Sequence, residues 1–227
     1  MSLKLSEIVP FGRSRREYEL MFNLSEEDCQ QLILGCGDGP ASFNAEMTQA
    51  GYNVISIDPI YEFSAKEIKR RFEEVVDDII EQVKATPKNW TWSYHQNPED
   101  LRQNRTKALN IFLSDYEKGR QEKHYQMGAL PHLPFESYQF QLGLCSHFLF
   151  LYSDLLSLEF HLNSIQEMCR VAQEVRVFPL LTLSLQVSSY IEPVREAMAK
   201  IGIQSCIEQT NYEFQKGGNQ MLRFFRA

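Results

Sequence analysis

The chain has 227 residues, 43% hydrophobic and 23% charged, the balance of a soluble globular protein long enough to bury a full sheet core. A net charge of −7 argues against a general nucleic-acid or anionic-membrane binder, so neither partner is expected. No apolar run reaches bilayer length and no export signal is visible. The five cysteines are scattered without C-x-x-C spacing, so we expect free thiols in a cytoplasmic protein rather than disulfides or a metal site.

Residues 1–30 read as an ordered arm. Pro10-Phe11-Gly12-Arg13 is a turn, Tyr18, Met21 and Phe22 share one helical face, and Ser25-Glu26-Glu27-Asp28 starts a short helix. Arg13, Arg15 and Arg16 are expected as solvated charges, with the alternative that Arg13 or Tyr18 folds over a pocket.

Residues 31–59 form the organising stretch. Leu32-Ile33-Leu34 has strand length and breaks into Gly35-Cys36-Gly37-Asp38-Gly39. A helix-compatible segment through Phe43, Ala45, Met47 and Ala50 stops at Gly51, placed for a left-handed cap. A second apolar run, residues 54–57, ends in Asp58-Pro59. Strand, glycine turn, helix, strand and acid make one βαβ unit suited to a nucleoside. Glycine lets backbone N–H groups approach a ligand, and the terminal carboxylate can accept both ribose hydroxyls. The dinucleotide fingerprint needs glycine where Pro40 stands, which disfavours an NAD enzyme, and no phosphate-loop lysine follows.

A helical insert over residues 62–119 replaces the expected third strand. Ser64 and Glu67 form a capping box, and Ile68, Phe72, Val76, Ile79, Ile80 and Val83 recur at helical spacing. Asn97-Pro98 opens a second helix expected to end at Gly119. Trp90, Trp92, Tyr94 and His95 lie between the two and serve either as glue or as the wall of an acceptor pocket under a lid. The basic run Lys66, Lys69, Arg70, Arg71 reads as a solvated face.

Sheet order resumes near residues 123–127, with further strands at 140–145, 174–178, 203–207 and 221–225. Helices are expected over 157–172 and 193–201. One α/β domain over residues 1–227 accounts for the whole chain.

Gly35-Cys36-Gly37-Asp38-Gly39 followed by Asp58 resembles the first two motifs of class I S-adenosylmethionine-dependent methyltransferases. Leu133-Pro134-Phe135 and the run Phe140-Gln141-Leu142-Gly143-Leu144-Cys145-Ser146-His147 are similar to their post-third-strand motif and fourth strand. The stretch Tyr212-Glu213-Phe214-Gln215-Lys216-Gly217-Gly218 also resembles a bacterial group assigned as methyltransferases without a defined acceptor. The likeness implies a Rossmann-like, seven-stranded, mostly parallel sheet with helices on both faces, a reversed last strand and a helical insert after the second strand.

It further implies an enzyme that binds S-adenosylmethionine and methylates a small-molecule acceptor. Its cofactor residues would be Gly35, Cys36, Gly37, Asp38 and Gly39 in the turn and Asp58 and Pro59 after the second strand. Ala129 and Leu130 would follow after the third, with Cys145 and Ser146 at the end of the fourth. His147 is the candidate general base, since imidazole titrates near neutrality. Ile33, Ala129 and Gln141 stand where many family members carry acids, which keeps a non-catalytic S-adenosylmethionine- or nucleoside-binding sensor, or an interaction protein on the same scaffold, as the alternative. The oligomeric state is left open.

Overall fold

The computed structural model describes Leu5 and residues 8–226. Residues 1–4, 6 and 7 of the predicted arm, and Ala227, lie outside the described residues. Two short helices, α1 (Arg15–Met21) and α2 (Glu26–Cys29), start the chain, and each opens with a serine capping box, Ser14 with Glu17 and Ser25 with Asp28. The predicted βαβ unit follows as β1 (Leu32–Cys36), α3 (Phe43–Gln49) and β2 (Asn53–Ile57). β1 extends past its apolar run because Gly35 and Cys36 stay in register with Ser56 and Ile57. Gly51 turns the chain after α3 at φ +87°.

The insert consists of a 3-10 turn over residues 59–62, α4 (Ala65–Ala85) and α5 (Pro98–Gln121), capped by Ser64 and Asn97 as expected. Gly119 does not end α5. It lies inside the helix because a Cβ there would stand 2.5 Å from the Tyr125 ring, so the glycine admits a neighbour rather than a turn. Ile68, Phe72, Ile79 and Ile80 of α4 share one core with Leu101, Leu109, Phe112 and Tyr116 of α5.

The remaining elements are β3 (Tyr125–Gln126), β4 (Phe140–Ser146), α6 (Leu158–Val171), β5 (Ala172–Phe178), α7 (Ile191–Lys200), β6 (Gln204–Gln209) and β7 (Gln220–Phe225). They complete a seven-stranded sheet of order β3-β2-β1-β4-β5-β7-β6. β1 to β5 run parallel, and β7 is antiparallel to both β5 and β6. Alternate side chains enter opposite cores. Ile33, Leu142 and Leu144 pack with α1 and α3, whereas Leu34 and Cys145 pack with α6 and α7. Gln141, where an acid was the family expectation, accepts the Leu32 N–H at 3.1 Å and joins β1 to β4.

A buried polar network ties arm, insert and sheet together. Arg105 of α5 forms a two-pronged bond with Glu17 of α1 at 2.7 and 2.8 Å. The Tyr212 hydroxyl, on the β6–β7 connection, donates to the same carboxylate at 2.9 Å. Burial alone would raise the Glu17 carboxyl, but Arg105 and His95 hold it well below the usual range. The insert is seated a second time on that connection. Thr91 N–H donates to Phe214 O at 2.8 Å and Lys216 N–H to Asn89 O at 2.9 Å, and Trp90 stacks on Phe214 at 4.8 Å.

Candidate functional site

The strand order reverses between β1 and β4, and open α/β sheets bind ligands beyond the carboxyl ends of strands at such a point. A cavity of about 470 Å³ lies there. Its floor is the glycine turn. Gly37 and Gly39 hold φ of +69° and +55°, and a Cβ on Gly37 would press on the Phe148 ring at 3.0 Å. Nothing stands within 4 Å of a Cβ built on Gly39, so bare main chain borders the space there. The Tyr61 hydroxyl donates to Gly39 O at 2.8 Å and fixes the turn from the insert side.

Asp58 ends β2 at the cavity wall. One carboxylate oxygen accepts from Gly39 N–H and the other from Ile60 N–H, both at 2.8 Å. Burial nevertheless pushes its pKa up to about 6 against those two donors. Asp38 lies beside it, accepting from the Tyr18 hydroxyl at 2.7 Å and the Ser56 hydroxyl at 2.6 Å. Burial, reinforced by the Asp58 charge, also raises Asp38 to about 6.

His147 leaves β4 at φ +52°. Its Nδ1 lies 3.0 Å from Ser146 Oγ, and its ring packs edge-on against Phe178 and Tyr212. Burial first, then the Arg13 and Arg105 charges, hold its pKa well below that of free imidazole. Arg13, expected as solvated, is a half-buried wall residue. It donates to Phe11 O at 2.6 Å, and burial and Arg105 lower its pKa to about 10. Arg15 and Arg16 instead pair with Glu19. Arg71, assigned to a solvated face, covers the Phe63 ring at 4.0 Å beside the cavity.

The structure therefore brings Cys36, Gly37, Asp38, Gly39, Asp58, Pro59, Ala129, Leu130, Ser146 and His147 around one space. Two expected residues are not on its wall. The Asp38 carboxylate occupies the place of a side chain at Gly35, with Oδ2 1.8 Å from a Cβ built there, so Gly35 makes room for Asp38 instead of touching a ligand. Cys145 is fully buried in the core shared with α6 and α7. Strand parity carries that signal, because adjacent Ser146 faces the other way and reaches the cavity. Phe11, Phe63, Arg71 and Phe148 are among the other wall residues, as are the acids Glu62 and Glu74, and none of them carries a local motif.

A smaller chamber of about 70 Å³ adjoins the first and shares Val9, Phe11, Arg13 and His147 with it. Trp90, Leu101, Arg105, Leu151, Leu183 and Gln215 are among its other walls.

The sheet order with its reversed last strand, and a crevice beyond β1 and β4, define the class I methyltransferase fold. The crystal structure of PH0226 protein from Pyrococcus horikoshii OT3 is similar at a TM-score of 0.50 and 10% identity, covering 94% of this chain and 91% of that one. That of magnesium protoporphyrin IX methyltransferase from Synechocystis PCC 6803 with bound SAM gives 0.45 and 12%, covering 87% and 70%. No family profile matches the chain. The chain belongs to the family of the uncharacterized protein MJ0045 of Methanocaldococcus jannaschii, with 33% identity over 222 residues, 97% of each chain.

Proposed function

We propose that this chain is an S-adenosylmethionine-dependent methyltransferase acting on a small-molecule acceptor. The observation that carries this reading is the shared cavity of a bare glycine turn and the buried carboxyl of Asp58 at the β1–β4 reversal. The wall fits the cofactor chemically. Each Asp58 oxygen has one partner within the chain, which leaves lone pairs for ribose hydroxyls. Asp38 and Asp58 suit a ligand bearing positive charge, and the Arg13 guanidinium suits a carboxylate.

When bound, S-adenosylmethionine supplies an electrophilic methyl group together with its own leaving group. The chain must then position, align and exclude water. Cys36 and the Ala129–Leu130 main chain shape the cavity, and Phe11 and Phe148 keep it dry. His147 is the group that takes a proton from the acceptor. Its depressed pKa keeps it unprotonated at neutral pH. It also makes a strong conjugate acid, so it serves a nucleophile that releases its proton late in transfer. The second reading, a non-catalytic sensor or interaction protein on the same scaffold, is favoured by Ile33, fully buried in the core, and by Ala129, whose methyl side chain offers adenine no hydrogen bond.

Calorimetry with S-adenosylmethionine, S-adenosylhomocysteine and NAD, followed by methyl transfer to a panel of small acceptors, tests the proposal. Micromolar binding of the first two, none of NAD, and label transfer are expected. Failure to bind either adenosyl compound overturns the methyltransferase reading and favours a non-catalytic sensor or interaction protein on the same scaffold.

A further inference from the structure

The stretch Tyr212-Glu213-Phe214-Gln215-Lys216-Gly217-Gly218 does more than seat the insert. It delivers Gln215 to the smaller chamber. Gln215 is 7% exposed, and its amide nitrogen donates to Thr182 O at 3.1 Å. That carbonyl settles the amide orientation, because only nitrogen can donate to it. Oε1 then faces elsewhere and has no hydrogen-bond partner among the described residues. Buried polar atoms are rarely left so, and each such atom calls for a ligand or an ordered water.

The rest of the chamber narrows the occupant. Leu101, Leu151, Leu183, Trp90 and Phe214 make it mostly apolar. The Arg13 and Arg105 guanidiniums also line it, which repels an ammonium group. An anionic end finds no free cation there among the described residues, since Arg105 is already paired with Glu17 and Arg13 is assigned to the carboxylate of the methyl donor. It would also bring negative charge against the acceptor oxygen of Gln215. A neutral group with an N–H or O–H satisfies both conditions. The volume, about 70 Å³, is less than half of the roughly 150 Å³ that holds benzene in a dry protein cavity. It therefore takes one end of a molecule. The remainder lies past Arg13 and His147, two of the four residues that the two spaces share.

We propose that the chamber binds the neutral, apolar end of the methyl acceptor, and that Gln215 Oε1 selects an end bearing a hydrogen-bond donor. This rests on reading the larger cavity as the methyl-donor site. Acceptors are then small, uncharged at one end, and carry an amide, ring N–H or hydroxyl there, with the methylated atom nearer His147.

Pyrrole and furan test the selection, being five-membered rings of nearly equal shape that enter heteroatom first and extend past Arg13 and His147 into the larger cavity, and of which only pyrrole has an N–H. The chain has two tryptophans, so the Trp90 indole resonance can be followed in the full-length protein while each ring is titrated. Pyrrole is expected to shift it and to bind at least about fivefold more tightly than furan, the worth of one net hydrogen bond. Gln215→Leu is expected to abolish that preference while S-adenosylhomocysteine affinity is unchanged. Equal binding of the two rings, no shift of Trp90, or a crystal soak in which ordered water alone occupies the chamber overturns the inference. Should Gln215→Leu not fold, the wild-type comparison decides alone. The same samples titrated with S-adenosylhomocysteine separate the two ideas. Binding of that compound without a pyrrole response removes only the chamber's role. A pyrrole response without it removes the methyl-donor reading, and the chamber's assignment to an acceptor falls too.

Discussion

Asp58 meets two demands at once, since it pins the turn through Gly39 and Ile60 and faces the cavity. Asp58→Ala is expected to weaken S-adenosylmethionine binding by about 1.5–3 kcal/mol, the range for a hydrogen bond to a charged group, read by calorimetry. The raised pKa values of Asp38 and Asp58, both about 6, add a pH signature. A carboxyl raised by folding stabilises the free chain below its ordinary value, and that contribution is lost as pH rises through about 6. A cationic ligand favours the ionised form, so its affinity rises as the two carboxyls deprotonate. The dissociation constant for S-adenosylmethionine should fall between pH 5 and pH 7 with a midpoint near the common value of about 6; a flat profile would contradict this. His147→Ala should lower turnover while leaving that constant nearly unchanged, and intact turnover would remove His147 from the proton-accepting role. At this scale the sequence was most legible where function is local. Gly37, Gly39 and Asp58 lie within one βαβ unit, and their spacing pointed to the cavity, although the same pattern gave no sign that Gly35 would stay off its wall. Arg13 takes the second of the two places the sequence left open for it, on the cavity wall, and the choice was not legible locally because Arg105 and His147, which line the smaller chamber with it, lie far along the chain.

Among the elements, the insert was legible in its helices and opaque in its seating. Apolar spacing and the caps at Ser64 and Asn97 mark α4 and α5 from sequence alone. The place where α5 ends does not follow from Gly119, whose role is set by the Tyr125 ring across the packing interface. The partners of Trp90 and Glu17 are equally non-local, at Phe214 and Arg105. Arg105→Leu would leave the Glu17 carboxylate buried without its counter-ion, a loss expected at about 3–5 kcal/mol in urea unfolding. Because Glu17 is held below the ordinary carboxylate range, its contribution is present above that range and is lost as pH falls through the depressed value. Phe214→Ala removes the ring stacked on Trp90 and edge-on to Trp92, at a cost of about 3 kcal/mol for a large-to-small change. The aromatic cluster is glue for the insert, and Trp90 also walls the small chamber.

Over the whole molecule, the mostly parallel sheet and its reversed last strand were legible through the resemblance to class I methyltransferases, whereas the strand order itself comes from the structure. Ligand binding should stabilise this assembly as a unit. At a hundredfold excess over its dissociation constant, a ligand of the folded state adds about 2.7 kcal/mol. For a chain of this size each kcal/mol moves the melting midpoint by about 2–4 °C, so S-adenosylhomocysteine should raise it by roughly 5–11 °C. NAD should leave it in place, and thermal scanning distinguishes the two in one experiment.

The backbone bonds from Thr91 to Phe214 and from Lys216 to Asn89 join segments more than a hundred residues apart in the chain. Neither amide can open by local fraying of one helix end, because separating them means parting the insert from the β6–β7 connection. Solvent deuterium should therefore reach these two N–H groups at rates set by cooperative unfolding rather than by breathing of the 62–119 segment, so the insert and the β6–β7 connection should exchange as one unit.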